Sequence, residues 1–86
     1  IMIMKREVEY FIYCYLNRLF GPKYLLDDRT DLTKDLGLSS MDILQFVMDV
    51  ETRFNIFIDP SRFQQDRSIG TIVNVITNII REQHGF

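Results

Sequence analysis

Asp35-Leu36-Gly37-Leu38-Ser39-Ser40-Met41-Asp42 runs directly into Ile43-Leu44-Gln45-Phe46-Val47-Met48-Asp49-Val50-Glu51-Thr52-Arg53-Phe54. In the second part Ile43, Phe46, Val47, Val50 and Phe54 recur at three- and four-residue spacing, with Asp42, Gln45, Asp49, Thr52 and Arg53 on the opposite side. That period predicts an amphipathic helix from about Ser40 to Phe54. Its start is marked by Ser39 with Asp42 three residues on, a hydroxyl cap followed by an acid in the first turn, where the helix dipole favours negative charge. A serine before an apolar-periodic run most often does no more than cap it, so the local pattern alone gives Ser39 and Ser40 a structural role.

Upstream, Val8, Phe11, Ile12, Tyr15, Leu16, Leu19 and Phe20 repeat the helical spacing and predict a first helix from Glu7 to Phe20, stopped by Gly21-Pro22. Between Lys23 and Ser39 lie two Asp-rich stretches together with Leu25, Leu26, Leu32, Leu36 and Leu38, too many leucines for a freely solvated linker. The segment reads as a long ordered loop pinned by leucines, and long connections inside small domains are more often functional than idle. Downstream, Asn55 to Ile58 reads as extended. Asp59-Pro60 supplies a cap and a proline suited to the first position of a short third helix, about Pro60 to Gln64. Ser68 then caps a final helix in which Ile69, Ile72, Val73, Ile76, Ile79 and Ile80 keep helical period despite their β-branched composition. The residues after Arg81 read as a frayed end that contains His84.

Eighty-six residues, 47% of them hydrophobic, suffice for one core, so a single all-α domain over residues 1–86 is expected. Cys14 has no partner within the chain and suits an inert packing role in a reducing compartment. A formal net charge of -2, without a basic face, argues against nucleic acid and favours basic protein partners. Asn74 and Asn78 interrupt the most apolar stretch, which leaves no membrane span, and Ile1-Met2-Ile3-Met4 lacks the flanks of a signal peptide. A cytoplasmic monomer is the expectation. No base, metal cluster or glycine-rich phosphate loop supports an enzyme. Asp27, Asp28 and Asp31 lack the glycine turn and bidentate acid of a calcium loop and read as a solvated face.

The segment Asp35-Leu36-Gly37-Leu38-Ser39-Ser40-Met41-Asp42 closely resembles the attachment motif of the acyl carrier protein family. The register continues through Val47, Met48, Glu51 and Phe54, then Ile56, Ile58 and Pro60 to Ile69 and Ile72, while the first helix matches only in pattern. The resemblance implies a four-helix bundle of the acyl carrier type, with the long ordered loop between helices one and two and a short third helix. It implies 4'-phosphopantetheine as a covalent cofactor on Ser40, with Ser39, Met41 and Asp42 flanking the attachment point. A helix start suits that role physically, because its unpaired amides and dipole stabilise a phosphodiester. The acyl cargo would be held as a thioester, and parting of the apolar bundle would shelter it at about 0.8 kcal/mol per buried methylene.

The resemblance also implies a docking surface for partner enzymes, which carries over to Met41, Asp42, Gln45, Met48, Glu51 and Thr52. The implied partners are a phosphopantetheinyl transferase and acyl-processing or acyl-loading enzymes of fatty-acid, lipid or polyketide-type biosynthesis. Three departures stand out: Ser39 replaces the family's aspartate, and Gln45 and Thr52 stand where acids are usual. Two other readings stay open, an aminoacyl carrier, including the D-alanyl type, and an unmodified carrier-like interaction module. Ser39 is also open as a second acceptor, although moving the helix start by one residue would rotate its buried face by roughly 100°.

Overall fold

The computed structural model describes residues 4–21 and 24–85. Among them the chain is all-helical: α1 (Met4–Phe20), α2 (Ser40–Phe54), a 3-10 turn (Pro60–Phe63) and α3 (Ile69–His84), with no strand beyond an isolated bridge between Asp31 and Ser68. The short third helix expected after Asp59 is one turn of 3-10 geometry. Asp59 accepts from the Ser61 amide and Pro60 opens the turn, but only Phe63 buries a side chain, too little apolar surface to extend it.

In α1, Val8, Ile12 and Leu16 are fully buried and Phe11, Tyr15 and Phe20 pack at the edge of the core, as their spacing predicts. The helix starts earlier than that spacing suggested, because Met4 also reaches the core, and Leu19 turns outward. Gly21 closes α1 by donating its N–H to Asn17 O at 2.8 Å. The expected stop at Pro22, the loop start at Lys23 and the opening Ile1-Met2-Ile3 lie outside the described residues.

Every apolar position predicted for the last helix is buried in α3, so period prevails over the strand propensity of its isoleucines and valines. Thr77, also buried there, satisfies its hydroxyl by donating to Val73 O at 2.7 Å. α2 meets α1 through edge-on rings, Phe11 with Phe54 at 5.6 Å and Tyr15 with Phe46 at 5.3 Å. The Tyr15 hydroxyl donates to Asp49 Oδ2 at 2.7 Å; partial burial and that carboxylate push its pKa up to about 12.

The end expected to fray is ordered through His84. His84 Nε2 donates towards Asn55 O at 2.8 Å and Phe54 O at 3.2 Å, and Gln83 pairs with both the N–H and the C=O of Phe57 at 2.9 and 2.8 Å. These contacts cover the carbonyls that the last turn of α2 leaves open, and they hold the connection after α2 against α3.

Candidate functional site

Between Tyr24 and Ser39 there are turns but no helix. Leu32 and Leu38 are buried and Leu26 and Leu36 half-buried, whereas Leu25 is 95% exposed and pins nothing. The aspartates form the turns. Asp27 accepts from the amides of Arg29 and Thr30, Asp31 from those of Thr33 and Lys34, and Asp35 from that of Asp31. One oxygen of each is thus committed to backbone, and no acidic or histidine cluster suited to a metal ion occurs among the described residues.

Backbone bonds stitch this segment to the start of α3: Leu32 N–H to Arg67 O at 3.0 Å, Ile69 N–H to Thr30 O and Gly70 N–H to Asp28 O, both at 2.9 Å. At Gly70 a Cβ would come within 3.1 Å of Asp28 O, so only glycine allows this approach without a shift. At Gly37 φ is +69°, the left-handed conformation that turns the chain back; its N–H reaches Thr33 O at 3.0 Å while Leu38 N–H reaches Leu32 O at 3.0 Å. The turn delivers Ser39 and Ser40 to the start of α2.

The two serines then diverge. Ser39 is the N-cap: its Oγ accepts from Asp42 N–H at 3.1 Å and donates to Asp42 Oδ2 at 2.9 Å, while Asp42 Oδ2 also accepts from Ser39 N–H at 2.9 Å. This reciprocal box commits the Ser39 hydroxyl as donor and acceptor and holds the Asp42 carboxyl below the usual range, chiefly through the Ser39 amide and then its hydroxyl. Ser40 is the first residue of α2, exposed, and its hydroxyl makes no hydrogen bond among the described residues. The first loop-to-helix bond at this end comes from Ile43 N–H to Ser39 O, so the amides of Ser40 and Met41 face outward without a loop carbonyl.

The remaining residues singled out from the sequence lie along α2. Met41 and Met48 are 73% and 50% exposed, so they are surface rather than core, and Leu44 at 49% completes an apolar stripe with them that the sequence reading missed. Gln45 donates to Asp49 Oδ1 at 3.1 Å, and Thr52 is exposed. Glu51 is partly withdrawn from that face, since one carboxylate oxygen accepts from Ile58 N–H at 2.9 Å.

A groove of about 220 Å³ opens beside Ser40, walled by Ile43, Leu44, Val47, Pro60 and Arg67. Arg67 Nη1 donates to Thr33 Oγ1 at 3.2 Å, its Nε is buried with no partner, and among the described residues it makes no ion pair. An open hydroxyl, outward-facing helix amides and a guanidinium with unused donors fit a phosphate ester with an apolar extension. The chain's single histidine lies at the other end of α2, about 20 Å away along the helix axis.

Known proteins point the same way. Residues 18–76 match the family described as "Phosphopantetheine attachment site". An acyl carrier protein of Onion yellows phytoplasma (strain OY-M) is 42% identical over 48 residues, 56% of this chain and 63% of that protein. Another from Thermotoga maritima is 33% identical over 49 residues, 57% of this chain and 60% of that protein. The chain thus spans less than two thirds of the curated relatives it matches. No solved structure matches it. An all-helical chain with an open serine hydroxyl at a capped helix start, matched over most of its length by that one family, belongs to the phosphopantetheine-binding carrier proteins, non-enzymatic domains whose cofactor is covalent 4'-phosphopantetheine.

Proposed function

We propose that this chain is an acyl carrier protein whose arm is attached to Ser40 and whose cargo belongs to fatty-acid, lipid or polyketide-type biosynthesis. The observation that carries the reading is the division of labour at the start of α2: the Ser39 hydroxyl is used up by the capping box while that of Ser40 is exposed and unused. When attached, the arm supplies a terminal thiol on which an acyl group is held as a thioester. The protein presents Ser40, offers helix amides to the ester phosphate and leaves the chemistry to visiting enzymes.

In this reading the domain is a four-helix carrier in which the 3-10 turn stands in place of helix three and the leucine-anchored segment before Ser39 is the long ordered loop. It works as a monomer in the cytoplasm; among the described residues no helix is long and apolar enough to cross a membrane. A phosphopantetheinyl transferase and acyl-processing enzymes dock along α2, on Met41, Asp42, Gln45, Met48 and Thr52, with Leu44 beside them. The carboxylates of Asp42 and Glu51 favour basic partner surfaces, but Glu51, held by Ile58, contributes less than a free acid.

Incubation with coenzyme A and a broad-specificity transferase tests the attachment. The expected result is a mass gain of one phosphopantetheine group that survives Ser39→Ala and disappears in Ser40→Ala. A gain that follows Ser39 would move the site by one residue. No gain under any condition would leave an unmodified docking module.

A further inference from the structure

Resting on the attachment at Ser40, we propose that Arg67 is the anchor for the root of the arm: its guanidinium pairs with the phosphodiester on Ser40 and lays the first part of the pantetheine chain along the groove of Ile43, Leu44, Val47 and Pro60. Three observations carry this. Ser40 and Arg67 wall the same groove. Arg67 has positive charge and donors to spare, since only Nη1 is engaged, with a neutral hydroxyl, while Nε is unpaired and no carboxylate lies within ion-pair distance among the described residues. A buried N–H without a partner costs free energy that an anionic oxygen would recover, and a fork of parallel donors suits a phosphodiester better than an ammonium does.

The backbone around Arg67 makes this placement firm. Arg67 O accepts from Leu32 N–H, Ser68 Oγ caps α3 through Thr71 N–H at 3.4 Å, and Ile69 N–H is tied to Thr30 O. The residue is therefore fixed between the loop that delivers Ser40 and the helix that closes the core. Thr33 holds the guanidinium at rest through its single bond to Nη1, and in the proposed pairing the side chain rotates to bring Nε out of its buried setting towards the phosphodiester. At about 220 Å³ the groove is smaller than the roughly 300–1,000 Å³ of ordinary small-molecule pockets, so it takes a short length of arm rather than a whole acyl chain.

The test compares the apo and arm-bearing full chain by NMR, with mass spectrometry to score attachment. In the arm-bearing wild type the Arg67 ¹⁵Nε–¹Hε signal is expected to move downfield and the ³¹P signal to change when Arg67 is replaced. Nuclear Overhauser contacts are expected between the pantetheine methyl protons and Leu44 or Val47. In Arg67→Gln those contacts should vanish while the mass gain persists; Arg67→Lys should restore part of the ³¹P shift and little of the contact set, and Thr33→Val should leave both intact. An Arg67 Nε signal identical with and without the arm, or pantetheine contacts unchanged in Arg67→Gln, overturns the anchor and leaves the Ser40 reading standing. A wild type that gains no mass overturns the attachment and the anchor with it.

Discussion

Ser39 and Ser40 are neighbours of identical chemistry, and one backbone step separates their roles. At the N-cap a hydroxyl can reach the amide three residues on, whereas at the first helical position it is left without that bond. Ser39→Ala is therefore expected to cost about 1 kcal/mol in denaturant unfolding without removing the proposed acceptor. Asp42 adds a pH signature. Its carboxyl is held low by the Ser39 amide and hydroxyl, so the stability it adds is fully present above the ordinary carboxylate range of about 4 and is lost as pH falls through its lower folded value. An NMR titration should show the Ser39 amide shift following that depressed carboxyl in the wild type, and losing the acid step in Asp42→Asn.

Among the connecting elements, the turn at Gly37 controls where α2 begins. With φ at +69° and no atom within 4 Å of a built Cβ, Gly37→Ala meets backbone strain without a clash, and is expected to lower stability by about 1 kcal/mol with the helices intact by circular dichroism. Much of this level was legible from spacing: the Ser39 and Ser68 caps, the Asp59-Pro60 start and the buried faces of α1, α2 and α3 are local patterns that one helical turn suffices to display. What escaped depends on contacts between distant parts. Leu25 and Leu32 look alike in sequence, but only Leu32 is stitched by its amide to Arg67 and carried inside. His84 appeared to be tail because its acceptors, Phe54 O and Asn55 O, are some thirty positions earlier and on another helix. Arg67 gave no signal beyond being a lone basic residue before a cap; its relation to Ser40 exists only once the loop and α3 are joined.

The whole molecule has a Cα radius of gyration of 12.3 Å, close to the ~12 Å of a compact chain this long. Its stability rests on one shared core, with Leu16 and Ile12 of α1 and Ile76 of α3 completely enclosed. Leu16→Ala, which leaves a void between helices that cannot close fully, is expected to cost about 3 kcal/mol in urea unfolding with a single transition by fluorescence and circular dichroism alike. Two transitions at different urea concentrations would show instead that α1 separates from the rest. All-helical class followed from period. The replacement of a full third helix by one 3-10 turn did not, since the length of that element is set by how little of it the neighbouring helices can cover.

The clasp of His84 on the carbonyls of Phe54 and Asn55 makes α2 a spar supported at both tips, one by the glycine-turned loop and the other by the far end of α3. Tension on the carboxyl-terminal tail, from a bound partner or a tethered neighbour, would thus be transmitted along the whole spar to the serine end.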